Sequence, residues 1–202
     1  MSAERPFVLC LTGSIGMGKS TAAKFFAEAG APVHDSDAVV HALYEGEATP
    51  LIEAAFPGST SDGKVDRNKL AAMVLHDTTA LARLEAIVHP LVTKSRKRFL
   101  AEAQARGVPI VVVDIPLLFE TAARSQCDAV VVVSAPADIQ RKRALERPGM
   151  TEEKLAALLA KQMPDAEKRR RADFVVDSSQ DFDHTRTQIR DILQRVAKMR
   201  QR

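Results

Sequence analysis

The sequence predicts an α/β fold: a five-stranded parallel sheet in a three-layer α/β/α arrangement, with an inserted helical domain and a helical lid. Three observations predict it. Five short apolar runs recur along the 202-residue chain. Several of them are apolar at consecutive positions, as strands covered on both faces are. Helical patterns separate the runs, which is the mark of βαβ units.

FVLCLT (7–12) is the first strand, and the glycine-rich turn GSIGMG follows it before the helix that opens at KSTAAKFF. The second strand is APVHD (31–35), and a helix is expected over 37–45. About seventy residues then separate the second strand from the third, far more than the dozen or so that a crossover needs. Most are helical in pattern. STSDGKVD interrupts them as a loop, and a long helix at 79–106 ends them. His89-Pro90 lies within that helix, where a proline is expected to kink or restart it. PIVVVDI (109–115), DAVVVVSA (128–135) and ADFVVD (172–177) complete the strands. Residues 138–171 are helical and basic, broken at RPGMT, with Thr151 placed to begin a new helix. An amphipathic helix closes the chain at 181–200. The expected division is a core of 1–40, 107–137 and 172–202, an insertion of 41–106 and a lid of 138–171.

Composition narrows the function. No run approaches the 18 to 20 apolar residues of a membrane span, and the polar opening MSAERP reads as no secretory signal. A cytoplasmic protein without a membrane partner is expected. Cys10 and Cys127 are read as reduced core residues. The net charge of +3 is uneven, because residues 141–171 hold ten Lys or Arg against five Asp or Glu. A segment of that kind suits a polyanion. With one Tyr and no Trp, a base-stacking nucleic-acid platform is disfavoured, so no nucleic-acid partner is expected.

Gly13-x4-Gly18-Lys19-Ser20 is a complete P-loop in its strand–helix context. Gly13, Gly16 and Gly18 let backbone amides approach an anion, and the helix N-terminus adds partial positive charge. Ser14 and Met17 complete the loop. Lys19 supplies a point charge for the β- and γ-phosphates, Ser20 a hydroxyl for Mg²⁺, and Thr21 a hydroxyl near the α-phosphate. ATP or GTP is the expected ligand, and the fold becomes that of a P-loop NTPase. The only Asn-Lys pair, Asn68-Lys69, continues as Leu-Ala. The guanine-selecting N-K-x-D of a regulatory GTPase is therefore missing, as is a switch-like D-x-x-G. A small kinase with a second substrate site accounts for the insertion and the basic lid.

On the acceptor side, Asp35 and Asp37 end the second strand, where ligands gather in open parallel sheets. They read either as N-caps of the next helix or as groups that orient and deprotonate an acceptor hydroxyl. Asp114 has the placement of an acid that holds Mg²⁺ through water, or of a satisfied strand-end residue. Arg143 and Arg147 stand at i, i+4 and are expected to share a helical face, where two guanidiniums can brace a phosphoryl group. A solvated basic face is the competing reading, and it is the one expected for Lys168 to Arg171. His89 reads as capped or packed, or as a substrate contact beside the proline.

Together these blocks resemble the dephospho-CoA kinase family over nearly the whole chain. LTGSIGMGKST, VHDSD, DGKVDRNKL, IVHPL, DIPLLFE, QRKRALER, LAALLAKQ and RADFVVD follow in the family's order. The resemblance implies ATP-dependent phosphorylation of the ribose 3′-hydroxyl of dephospho-CoA, with Mg²⁺, on a fold like that of nucleoside monophosphate kinases. It implies Asp37 as the catalytic base, Lys19 and Ser20 as the P-loop pair, and Arg143 as the lid arginine; Arg147, from its spacing to Arg143, is expected on the ATP side. It places His89, Pro116, Leu117, Leu118 and Glu120 on the acceptor side, and the inserted helices as the substrate domain. A nucleoside monophosphate-type kinase is the alternative. Two departures stand out. Met17 occupies a position that is often small, and Ser178, Ser179 and Gln180 replace the family's usual Asn and Gly in a loop placed near adenine. Oligomeric state is not legible in the sequence.

Overall fold

A computed structural model describes residues 4–200. The strands are β1 Phe7–Thr12, β2 Val33–Asp35, β3 Thr60–Ser61, β4 Lys64–Val65, β5 Ile110–Asp114, β6 Ala129–Ser134 and β7 Phe174–Asp177. The helices are α1 Lys19–Glu28, α2 Ser36–Tyr44, α3 Thr49–Ala55, α4 Arg67–Val74, α5 Thr78–Ala105, α6 Ala137–Leu145, α7 Glu152–Ala160, α8 Asp165–Arg171 and α9 Phe182–Arg200. A short 3₁₀ turn, Ala122–Gln126, leads into β6.

The main sheet has five strands in the order β2-β5-β1-β6-β7, and β1 pairs in parallel with both β5 and β6. The expected sheet is therefore present. Its apolar runs are continuous because both faces are covered. Leu9, Leu11, Val112, Val131 and Val133 enter a cluster with Phe25 and Phe26 of α1 and Ile189, Ile192 and Val196 of α9. Their alternating neighbours Val8, Val111, Val113, Val130 and Val132 are also buried, and α8 packs along β6. Phe26 is fully buried, so truncating it to alanine would cost about 3–5 kcal/mol.

The chain forms two compact units. One runs through His34 and resumes at Ala103; the other is Asp35–Glu102. The second unit has its own core, in which Leu43, Ile52, Phe56, Leu70, Leu84 and Val88 meet.

Four expectations are corrected. STSDGKVD is not a plain loop: β3 and β4 pair antiparallel across Asp62-Gly63. Both turn residues have positive φ, 51° and 74°, the requirement of a tight hairpin turn that Asp-Gly satisfies. Pro90 does not restart its helix, because α5 continues through it from Thr78 to Ala105; the neighbouring turns hold the helix despite one missing N–H donor. His89 is exposed rather than packed or capped. Finally, Cys10 and Cys127 are joined as a disulfide, with Cα atoms 5.6 Å apart. The parallel pairing explains their meeting. Cys10 lies opposite Val130 on β6, and the Asp128 N–H donates to the Val8 carbonyl, so the chain entering β6 passes beside β1.

Candidate active site

The phosphate loop leaves the C-terminal end of β1, the central strand, and runs into α1. Gly18 caps α1 in the left-handed conformation (φ 83°) and, being glycine, offers the first-turn amides no side-chain cap. Those N–H groups are thus left to an anion. Gly16 also has positive φ, and a Cβ there would stand 2.5 Å from the Gln140 carbonyl oxygen. No other residue fits without moving α6.

Neighbouring segments hold the loop. Gln140 Nε2 donates to the Ile15 carbonyl at 2.8 Å, and the Ile15 N–H donates to Gln162 Oε1 at 3.3 Å. Both glutamines stand in blocks that carry the family resemblance, Gln140 opening QRKRALER and Gln162 closing LAALLAKQ, but the residues alone gave neither a role. Met17, bulky where the family is often small, is 1% exposed, and its sulfur accepts from the Ala135 N–H. The side chain therefore packs against the β6–α6 junction, and the loop loses no room to it.

Lys19 and Asp114 meet at the strand ends. Lys19 Nζ lies 2.5 and 2.7 Å from the two carboxylate oxygens of Asp114, and Asp114 is 2% exposed. An ammonium so placed satisfies a carboxylate that burial would otherwise penalise. Ser20 is exposed in the first turn of α1. A buried carboxylate and a hydroxyl are hard oxygen donors that suit Mg²⁺ when phosphates and water supply the remaining positions.

Arg143, on α6, donates from Nη1 to Ser178 Oγ at 3.0 Å and from Nη2 to the Ser178 carbonyl at 2.8 Å. The i, i+4 helical relation expected between Arg143 and Arg147 is not formed. Helix α6 ends at Leu145, and the Arg147 N–H turns back to the Ala144 carbonyl. The Arg-Pro-Gly sequence that ends the helix breaks the i, i+4 relation.

The PLLFE segment follows β5. Pro116 accepts through its carbonyl from the Thr12 hydroxyl at 3.2 Å. Leu117 is exposed and Leu118 fully buried. One Glu120 oxygen accepts from the Met163 N–H at 2.7 Å and lies 3.0 Å from Lys168 Nζ. Burial pushes the Glu120 carboxyl up, but that amide and the Lys168 ammonium hold it below the usual carboxylate range. Lys168 has no exposed side-chain surface, which corrects its expected place on a solvated face. Four consecutive basic residues span a full turn of α8, so one must point inward. Arg170 and Arg171 do pair at the surface, with Glu167.

In the second unit, Asp35 and Asp37 separate into two roles. Asp35 is the N-cap of α2, accepting from the Ala38 N–H at 3.0 Å. Asp37 stands in the first turn, exposed. It lines a trough of about 540 Å³ with Val40, Tyr44, Arg67, Leu70 and Val74. The Arg67 guanidinium lies 5.7 Å from the centre of the Tyr44 ring. The trough is thus apolar along its length, with a carboxylate and a guanidinium on its walls. Among the described residues no cluster of three or more His, Cys, Asp or Glu could hold a metal, and no helix is long and apolar enough to cross a membrane.

The sequence pattern of the dephospho-CoA kinase family matches residues 7–184. A dephospho-CoA kinase of Rhodopseudomonas palustris is 60% identical over 96% of this chain and 98% of its own length. One from Mesorhizobium japonicum is 63% identical over 90% of this chain and 92% of its own. Among solved structures, a Thermus thermophilus protein superposes with a TM-score of 0.81 at 33% identity, covering 95% of this chain and 98% of that one. The chain belongs to the dephospho-CoA kinase family.

Proposed function

We infer that this chain transfers the γ-phosphoryl group of ATP to the ribose 3′-hydroxyl of dephospho-CoA, giving coenzyme A and ADP, the last step of coenzyme A synthesis. The observation that carries this reading is the family match at residues 7–184, which takes in both the phosphate loop and the Asp37 trough.

The roles follow from the chemistry of each group. The loop amides and the α1 N-terminus bind the β-phosphate, and Lys19 moves from Asp114 toward the β- and γ-phosphates when ATP enters. Ser20 directly, and Asp114 through water, would hold Mg²⁺, which neutralises charge on the phosphates. Asp37 accepts the proton of the attacking hydroxyl. Its exposure at the head of α2 and the use of Asp35 as the cap support that assignment. Arg143 stabilises charge on the migrating group, and Arg147 stands on the ATP side. His89 and the segment Pro116 to Glu120 belong to the acceptor side, with Pro116, Leu117 and Leu118 shaping it. The helices of 138–171 act as a lid that excludes water. The protein works in the cytoplasm, on small molecules and without nucleic acid.

The test is ADP release with ATP, Mg²⁺ and dephospho-CoA, with AMP as the control acceptor. Turnover with dephospho-CoA and little with AMP is expected. ADP formation no faster than without acceptor would sink the reading. D37A is expected to lower kcat by about 10²- to 10⁴-fold, the usual worth of a general base, with ATP affinity unchanged. Retained turnover would remove Asp37 from the base role.

A further inference from the structure

Ser178 follows β7 and is buried. Its N–H donates to the Ser134 carbonyl at 2.9 Å, which extends the β6–β7 ladder by one residue and fixes the backbone. Its hydroxyl donates to the Met17 carbonyl at 2.8 Å and accepts from Arg143 Nη1 at 3.0 Å. A guanidinium can only donate and a carbonyl can only accept. The direction of the hydroxyl proton is therefore forced: it points at the loop. Arg143 also grips the Ser178 carbonyl, so the phosphate loop, the last strand and the lid arginine meet at one residue.

The Met17 carbonyl belongs to the same peptide unit as the Gly18 N–H. In a trans peptide the two point in opposite directions. Holding the carbonyl on Ser178 thus aims the Gly18 N–H the other way, off the Ser178 side of the loop. Gly18 lies close to the whole cluster. A Cβ built there would stand 3.2 Å from Ser178 Oγ and 3.7 Å from Arg143 Nη1.

We propose that Ser178 is a positioning residue for the phosphoryl donor. Its hydroxyl sets the Met17–Gly18 peptide so that the Gly18 amide meets the polyphosphate, and it stations the Arg143 guanidinium at the same end of the loop. This rests on the kinase reading above and adds to it a residue that needs no contact with the nucleotide. Serine is suited to the task because one hydroxyl must accept and donate at once, at short reach.

Steady-state kinetics on S178A and S178T, with ATP varied at saturating dephospho-CoA, test it. S178A is expected to lower kcat/KM for ATP by about 10- to 100-fold, less than the loss of a donor that touches the reacting group, while KM for dephospho-CoA stays within about twofold. S178T keeps the hydroxyl and is expected to recover most of the loss. R143A is expected to cost less in the S178A background than in wild type, because the two side chains act as one unit. Unchanged kcat/KM for ATP in S178A would overturn the proposal. So would a loss that S178T leaves unrepaired, or full additivity with R143A. Should S178A lose its melting transition, S178C, of similar volume but a weak donor, is judged by the same criteria. Equilibrium binding of a non-hydrolysable ATP analogue separates this proposal from the acceptor assignment. A wild-type chain that binds the analogue but ignores dephospho-CoA defeats the acceptor reading alone. Equal analogue affinity in wild type and S178A defeats the role of Ser178 alone.

Discussion

Replacing Glu120 by glutamine tests what the buried ion pair with Lys168 contributes. Lys168 has no exposed side-chain surface, and Glu120 keeps 17% of its own. The ammonium is thus the more deeply buried partner. E120Q leaves it without a counter-charge, and a stranded buried charge costs about 3–5 kcal/mol. For a chain of this length each kcal/mol shifts the melting temperature by about 2–4 °C, so a fall of roughly 6–20 °C is expected. K168M leaves the carboxylate with its hydrogen bond from the Met163 N–H and fills the lysine's space with an apolar chain. Its cost is expected near 1–3 kcal/mol, that of a poorly satisfied polar group. The double variant removes both charges and is expected to be more stable than E120Q alone. Thermal and urea unfolding of the four proteins at pH 7 measure these differences. Equal losses in the two single variants, or a double variant no better than E120Q, would refute the reasoning. Acidification gives a second check. The folded Glu120 carboxyl lies below its ordinary value, so its contribution is complete above the unfolded pKa of about 4.3. It is then lost as pH falls through the lower folded value. The stability gap between wild type and E120Q is expected to be flat from pH 5 to 8 and to close in stronger acid.

Two further predictions follow from the fold. G16A places a Cβ 2.5 Å from the Gln140 carbonyl oxygen at a φ of +78°, and it is expected to destabilise by about 1–2 kcal/mol from the backbone alone and to raise KM for ATP. Normal ATP kinetics in G16A would show that the loop tolerates the side chain. Reducing the Cys10–Cys127 disulfide, which spans 117 residues of sequence, frees the unfolded chain of a long loop. A loss of about 5 kcal/mol is expected on the loop-entropy estimate, read as a lower melting temperature in reductant. Thiol titration of the denatured, unreduced protein should then find none, and two reactive thiols there would remove the cross-link.

The strands were legible because a sheet covered on both faces writes unbroken apolar runs, as IVVVD and VVVV do. The phosphate loop was legible because its geometry demands glycine, lysine and serine at fixed intervals. Asp62-Gly63 carried a hairpin signal that its polar neighbours obscured. What escaped was set by partners distant in the chain. Ser178 and Met17 are 161 residues apart, and nothing in either stretch announces the other. Lys168 hid inside a run of like charges, since composition does not say which residue of a helical turn faces inward. The cysteine pairing depended on strand order, which places β6 beside β1, and periodicity does not supply that order. Asp35 and Asp37 could be told apart only when the start of α2 was known to within one residue.

Strand order also bears on how the protein is made. Of the sheet's five strands, β1 is made before the others and is the central one, and its neighbours β5 and β6 begin only at Ile110 and Ala129. At about 5–20 residues per second, the hundred or so residues between them take roughly 5–20 s to synthesise. Throughout that interval the apolar face of FVLCLT has no partner strand, while the contiguous unit Asp35–Glu102 emerges whole with its own core. The nascent chain therefore completes its helical unit while an unsatisfied β1 extends ahead of it, the segment a holding chaperone would find exposed.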